Sequence, residues 1–335
     1  MTRVLVTGGA GFIGSHFIKF ALRAHPDWHI VNLDKLSYAG NLENLTNLTD
    51  ATRHQFVKGD IADHEAISRL WSQGIEIVVN FAAETHVDRS ILWADDFIKT
   101  DVLGAFTLLE AAREFGVKKF IQVSTDEVYG SIESGSFSEN SPLNPRNPYS
   151  ASKAGADRLA FAYFTTHNVP VIITRCSNNF GPNQHPEKFI PLFITNALEG
   201  KPLPLYGDGK SVRDWIYVED HCAAIDFLIT CGQPGETYNI GGGNEVENIE
   251  IAHRILRRLA KPESLIQLVK DRPGHDRRYS LDARKLAAVG WRPERDFAGA
   301  LEATVDWYVQ NEAWWRKIKS GDFKKYYTAQ YGSRL

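Results

Sequence analysis

Short apolar runs recur through the first half of the chain, at residues 3–7, 29–34, 55–61, 75–83, 119–124 and 169–175. The clearest of them are nearly continuous in Val, Ile and Leu rather than alternating, as expected of strands covered on both faces. Between them lie stretches with helical spacing: one running to about residue 23, one over 95–114 and one over 149–166. The alternation predicts a doubly wound parallel sheet flanked by helices. After residue 177 the texture changes. Asn178-Asn179, Gly181-Pro182 and Gln184-His185-Pro186 are polar and turn-rich, and a second unit is expected to begin there. A helical pattern over 218–231 suggests packing back on the first unit, followed by a short strand at 237–241 and helices over 250–259 and 297–312. The predicted organisation is a first unit over 1–177, rejoined around 214–241, and a second over 178–335.

Composition changes this picture only by exclusion. The chain has 335 residues, 43% hydrophobic and 24% charged, with a formal net charge of -3. That length carries a substantial core, and that charge argues against nucleic acid or an anionic membrane as partner. No apolar run approaches a membrane span. The chain enters its first strand almost at once, so neither a leader nor export is expected, and a cytoplasmic location is. Cys176, Cys222 and Cys231 form no CxxC pair and are expected to be reduced thiols in or near the core. Asn44-Leu45-Thr46 and Asn47-Leu48-Thr49 match the glycosylation pattern by chance on this reading. His16, His185 and His275 have no ligand spacing, and no metal is expected.

The first strand runs into Gly8-Gly9-Ala10-Gly11-Phe12-Ile13-Gly14, which opens the first helix. This is a dinucleotide-binding fingerprint: Gly8 for the tight turn, Gly11 for approach of backbone to a diphosphate, and Gly14 for packing of helix on strand. Asp34 closes the second strand, where a carboxylate accepts from ribose hydroxyls and repels a 2′-phosphate. NAD is therefore favoured over NADP, although Lys35 stands next door. Asp60 and Ile61, at the end of the third strand, are candidates for the adenine edge. The small pair Ala82-Ala83, leaving the fourth, lets a cofactor lie close to backbone. The expected fold is a Rossmann-type α/β sheet with a smaller, mixed α/β C-terminal substrate domain.

The densest chemistry follows the fifth strand. Ser124-Thr125-Asp126-Glu127 sets a hydroxyl and two carboxyls at a strand end, and Tyr149 and Lys153 lie four residues apart on one helix face. A phenol that can lose a proton, an ammonium that favours its anion, an acid and a base suit stepwise proton and hydride chemistry. In the second unit, Asp271-Arg272-Pro273-Gly274-His275-Asp276-Arg277-Arg278 is dense in cations and suits a diphosphate.

These residues resemble the extended short-chain dehydrogenase/reductases. Over essentially its full length the chain is similar to the dTDP-glucose 4,6-dehydratase family within them. The resemblance is carried by residues 82–90, 124–130, 176–182, 186–188, 212–215 and 272–276, and most specifically by the adjacent Asp126-Glu127. It implies NAD contacts at Gly8, Gly11, Phe12, Ile13, Gly14, Asp34, Lys35, Asp60, Ile61, Ala82, Ala83, Thr100, Tyr149, Lys153 and Asn179. It implies nucleotide-sugar contacts at Thr85, Thr125, Asn178, Lys188, Phe189, Pro204, Tyr206, Arg213, Asn248, Arg272 and His275. The chain departs from the family's usual residues at Thr85, Phe180, Asp101, Asn183 and Phe189; Asp101 stands where Asn is commoner.

The resemblance also implies a mechanism. Tyr149, helped by Lys153 and the positive nicotinamide, takes the C4 hydroxyl proton while hydride passes to NAD, and Thr125 holds the same oxygen. The 4-keto group acidifies C5–H, which Glu127 removes. Asp126, kept protonated, donates to the departing C6 hydroxyl, and hydride returns to C6. Separate tasks for neighbouring carboxyls require environments that split their pKa values. A UDP-glucose 4,6-dehydratase, a nucleotide-sugar 4-epimerase and a non-catalytic NAD-binding regulator are the competing readings. A homodimer is implied by the family alone.

Overall fold

The computed structural model describes residues 1–271, 274–320 and 322–332. Its strands are β1 (Thr2–Thr7), β2 (Trp28–Asp34), β3 (His54–Lys58), β4 (Ile77–Asn80), β5 (Lys119–Thr125), β6 (Val171–Cys176), β7 (Asn178–Phe180), β8 (Leu203–Tyr206), β9 (Val212–Tyr217), β10 (Thr237–Ile240), β11 (Glu245–Glu247) and β12 (Ile266–Val269). Seven of them form one sheet in the order β10-β6-β5-β4-β1-β2-β3. Every neighbouring pair is parallel. The chain winds outward from β1 to β3, then returns to the other side of β1 as β4. That reversal leaves a crevice at the carboxyl ends of β1 and β4, where ligands collect in open α/β sheets.

Helices cover both faces because the strands are apolar on both. Phe12–Ala24 buries Phe17, Ile18, Ala21 and Leu22 against one face, where Cys222, Ile225 and Leu228 of Val218–Cys231 join them. On the other face Ile67, Leu108, Leu109 and Ala160 pack on Leu5, Val31 and Val78. The second unit has its own core, in which Phe193, Ile194, Ile255, Leu301 and Trp315 meet around β8 and β9. Its strands form two small sheets, β11-β9-β7 and β12-β8. The chain rejoins the first unit through the helix Val218–Cys231 and the edge strand β10, whereas β9, at 212–217, stays in the second.

Three expected elements differ. The strand expected over 75–83 is only Ile77–Asn80, because Phe81 onward leaves the sheet to wall the crevice. The single helix expected over 95–114 is a short turn, Asp95–Phe97, a π turn, Ile98–Gly104, and an α-helix, Ala105–Phe115. The helix expected over 297–312 ends at Gln310, and a new one starts at Glu312. Cys176 and Cys222 are buried, but Cys231 lies exposed rather than in the core. Among the described residues no helix is long and apolar enough to cross a membrane.

Candidate active site

The crevice is a cleft of about 1520 Å³, open solvent at its mouth included. Its floor is the glycine loop. Gly8 has φ +68°, and a Cβ there would lie 2.8 Å from Ala82 N. A Cβ on Gly14 would lie 2.4 Å from Gly8 O, so helix and loop pack to contact. A Cβ on Gly11 would meet only Gly8 O, at 3.2 Å. Among the described residues no side chain caps the helix that follows Gly11. First-turn N–H groups of that helix are therefore available to an anion.

All the residues expected to contact NAD line this cleft: Gly8, Gly11, Phe12, Ile13, Gly14, Asp34, Lys35, Asp60, Ile61, Ala82, Ala83, Thr100, Tyr149, Lys153 and Asn179. Asp34 accepts from Ala10 N at 2.9 Å and Leu36 N at 2.7 Å. Each carboxylate oxygen keeps a lone pair for a further donor. Lys35 Nζ donates to Thr100 Oγ1 at 2.9 Å and lies 3.6 Å from Glu84 and 3.9 Å from Asp60. The lysine is thus engaged by the cleft wall instead of projecting toward solvent.

Local sequence explains how the reactive groups are held. β5 is buried from Phe120 to Thr125 between β4 and β6, so its end is rigid. Thr125 then caps the turn Asp126–Tyr129, accepting from Glu127 N at 3.3 Å. Asn147 starts the helix Pro148–His167 with a capping box: its side chain accepts from Ser150 N while Ser150 Oγ accepts from Asn147 N. Pro148 occupies the first turn, where its missing N–H costs nothing. This brings Tyr149 and Lys153 beneath the end of β5, both nearly fully buried.

The two carboxyls sit in different surroundings. Burial, then the neighbouring charges of Glu127 and Asp214, push Asp126 well above the usual carboxyl range. Its Oδ1 accepts from Thr125 Oγ1 at 3.1 Å, and its Oδ2 has no partner among the described residues. Glu127 Oε2 is reached by Asn147 Nδ2 and by the Tyr279 hydroxyl, each at 3.4 Å. Tyr149 sits in surroundings that oppose its anion. Burial, with Glu127, Asp101 and Cys176 adding to it, holds its phenol well above 10, and the hydrogen bond with Thr125 only partly opposes them. Lys153 donates to Val123 O at 2.8 Å. The protein groups around the phenol thus favour its protonated form.

The expected sugar contacts divide into two groups. Thr85, Thr125, Asn178 and Lys188 line the cleft, and Lys188 Nζ donates to Thr85 O at 2.5 Å. Phe189, Pro204, Tyr206, Arg213, Asn248 and His275 do not line it. Several of these form a rim beside it. Arg213 donates to His275 Nε2 at 3.0 Å, which leaves the proton on Nδ1 to donate to Asp271 at 2.6 Å. The Arg213 guanidinium lies 4.3 Å from the Tyr279 ring centre, so Tyr279 links this rim to Glu127. Tyr206 lies 5.9 Å from the His275 ring and donates to Asp88 Oδ2 at 3.0 Å. Pro204 lies in the same strand, and Phe189 stacks on Trp215 at 6.1 Å. Asn248 opens the helix Asn248–Arg258, its Oδ1 buried without a partner among the described residues. Arg272 lies outside the described residues.

Ser124 Oγ, Asp126 Oδ2 and Asn178 Oδ1, all in the cleft, are likewise buried without protein partners among the described residues. Such orphaned groups have a large cost unless a ligand or water completes them. A dinucleotide and a polyhydroxy substrate fit that donor set. Sequence reasoning missed Asn147, Tyr279, Glu84, Glu187 and Tyr38. Asn147-Pro148 carried a helix-start signal, and Glu84 and Glu187 stood inside motifs already singled out. Nothing local marked Tyr38, which stacks under Arg89 at 3.9 Å while Arg89 pairs with Glu187 at 2.9 Å.

Residues 5–304 match the family described as GDP-mannose 4,6 dehydratase. The chain is 53% identical to the low-salt glycan biosynthesis protein Agl12 of Haloferax volcanii, over 92% of this chain and 99% of that protein. It is 51% identical to a dTDP-glucose 4,6-dehydratase of Streptomyces antibioticus, over 94% of this chain and 95% of the relative. Among solved structures it is similar to DesIV of Streptomyces venezuelae, a dTDP-glucose 4,6-dehydratase with NAD and dTDP bound. The TM-score is 0.93 at 51% identity, over 95% of this chain and all of that one.

Proposed function

This chain belongs to the GDP-mannose 4,6 dehydratase family and, within it, to the dTDP-glucose 4,6-dehydratases. From that premise we propose how it converts dTDP-glucose to the 4-keto-6-deoxy sugar. The observation that carries the assignment of roles is the pair Asp126-Glu127 in the cleft beside Tyr149, one carboxyl kept neutral by burial and the other held by neutral donors. An elimination needs an acid for the leaving hydroxyl and a base for the carbon-bound proton at once, and this pair supplies both.

NAD, when bound, supplies the hydride acceptor and a positive ring that favours ionisation of the Tyr149 phenol. Gly11 and the first turn of the helix after it receive the diphosphate, Asp34 accepts from a ribose, and Asp60 and Ile61 border the adenine. Tyr149 receives the C4 hydroxyl proton, with Thr125 orienting that oxygen through a hydroxyl already fixed by Asp126 and Glu127. Glu127 takes the C5 proton once C4 is a ketone. Asp126 gives its proton to the C6 oxygen and water leaves; the hydride taken from C4 is then delivered to C6 while Glu127 gives its proton back to C5, which completes the 4-keto-6-deoxy sugar. Lys188, Asn178 and the Arg213–His275 rim hold the nucleotide diphosphate. Incubation with dTDP-glucose and, separately, UDP-glucose tests the substrate: loss of one water from the dTDP sugar alone is expected, and equal turnover of both withdraws the nucleotide preference.

We further propose a homodimer in the cytoplasm. Leu103 (47% exposed) and Phe106 (40%), on the segment after β4, and Phe161 (40%), on the Tyr149 helix, present apolar surface on two helices that pack together. Exposed large apolar side chains on packed helices suit an interaction surface, and two antiparallel copies of the helix pair would cover them. Phe106→Glu with Phe161→Glu is expected to give monomers by light scattering at concentrations where wild type is dimeric, with a dissociation constant raised at least about a hundredfold. An unchanged dimer overturns the assignment of that face. The exposed free thiol of Cys231 is consistent with a reducing compartment.

A further inference from the structure

The π turn Ile98–Gly104 turns two consecutive side chains, Thr100 and Asp101, into the interior. Neighbours in an α-helix do not share a face, and π turns of this kind concentrate at functional sites. Each of the two holds a different wall of the cleft. Thr100 receives Lys35. Asp101 Oδ1 accepts from Glu84 N at 2.8 Å, and its Oδ2 accepts from Ser152 Oγ at 2.6 Å. The Ser152 hydroxyl also reaches Tyr149 O at 2.8 Å. Asp101 therefore ties the segment leaving β4, which walls the cofactor cleft, to the helical turn that carries Tyr149 and Lys153.

We propose that Asp101 is a positioning residue for this reaction, fixing the Tyr149 turn against the cleft wall and placing beside the Tyr149–Lys153 couple a negative charge that works against the phenolate. The proposal rests on Tyr149 being the base assigned above. An asparagine could make the same two contacts, accepting from Glu84 N and donating to Ser152, so the tie alone does not call for a carboxyl. What the carboxyl adds is charge. The groups around it are Lys153 and Tyr149 on the helix, Glu84 after β4 and Lys35 after β2. Burial pushes Asp101 up to about 6, opposed first by Lys153 and then by the Ser152 and Glu84 hydrogen bonds. Burial likewise pushes Glu84 up to about 7, with Lys35 opposing and Asp101 and Asp96 adding to the rise. Asp101 thus gains its charge as pH rises through about 6.

The test is the pH dependence of kcat/KM for dTDP-glucose in the NAD-loaded enzyme. Asp101→Asn keeps both contacts and removes the charge. Its acid limb is expected to fall roughly one pH unit below that of wild type, since a single charge inside a protein has an effect of that order. Asp101→Ala shares the shifted limb and loses further activity at every pH. Ser152→Ala, which removes a bond favouring the ionised carboxyl, moves the limb in the same direction. A profile for Asp101→Asn that superimposes on wild type, with only Asp101→Ala impaired, overturns the charge role and leaves a structural tie.

A second readout is independent of turnover. The raised folded-state pKa of Asp101 contributes stability that is full below the unfolded value and lost as pH rises through about 6. The melting temperature of wild type relative to Asp101→Asn is therefore expected to decline between about pH 4 and 7. A constant difference overturns the titration. If wild type turns over no nucleotide sugar, the reaction proposed above fails, and the melting comparison still decides whether Asp101 carries the titrating charge.

Discussion

Glu127→Gln is expected to stop turnover with the cofactor reduced. On mixing with dTDP-glucose, the variant gives up to one equivalent of reduced-nicotinamide absorbance per site that persists, while steady-state dehydration falls by about a thousandfold or more. The isosteric amide retains an oxygen for Asn147 Nδ2 and the Tyr279 hydroxyl, so the turn Asp126–Tyr129 keeps its place. What it loses is the ability to receive the C5 proton. Tyr149 and Thr125 are untouched, so C4 oxidation proceeds and the hydride has nowhere to go. Burial, the largest influence on Asp126, does not change, so its carboxyl is still pushed upward although the Glu127 charge that adds to the rise is gone. Turnover within tenfold of wild type, or a stall with no reduced cofactor, would remove Glu127 as the base. An epimerase or a binding protein would be indifferent to the change.

Tyr149→Phe is expected to fail one step earlier. The ring keeps its place against Val87 and Phe97, whose ring centre lies 6.2 Å away, so folding is little affected. The group that receives the C4 proton is gone, and without that transfer hydride does not leave C4. Dehydration should drop by about three to four orders of magnitude, with no reduced cofactor appearing. The contrast between the variants is the informative part. One accumulates reduced cofactor and the other does not, although both lose the overall reaction. Reduced cofactor at the wild-type rate in Tyr149→Phe would pass the base role to another group.

Much of the first unit was legible because its signals are local and coupled. Gly8, Gly11 and Gly14 stand between a strand and a helix, and Asp34 closes the next strand, so each glycine's task follows from the chain immediately around it. The cleft lining at Asp60, Ile61, Ala82 and Ala83 followed from the rule that ligands gather at the carboxyl ends of parallel strands. The π turn was hidden because residues 98–104 carry ordinary helix-forming spacing, and the widening appears only when Thr100 and Asp101 meet Lys35, Glu84 and Ser152. The small sheets of the second unit were hidden for a related reason. β7 and β11 have three residues each and are strands only by virtue of pairing with β9. The rim is long-range in the same sense: Arg213 and His275 are 62 positions apart. Spacing placed Tyr149 and Lys153 on one helix face, but it did not reveal that Lys153 would serve the Val123 carbonyl or that carboxyls and burial would hold the phenol protonated.

Tracing the hydride tests the central claim most directly. dTDP-glucose deuterated at C4 is incubated with the enzyme in ordinary water, and the unlabelled sugar is incubated in deuterated water; the products are located by mass spectrometry and NMR. The account predicts that the C4 deuterium reappears at C6 of the 4-keto-6-deoxy product, with one solvent deuterium at C5 in the second experiment. Loss of water without transfer of the label from C4 to C6, or return of the label to C4 in an epimer, would contradict it.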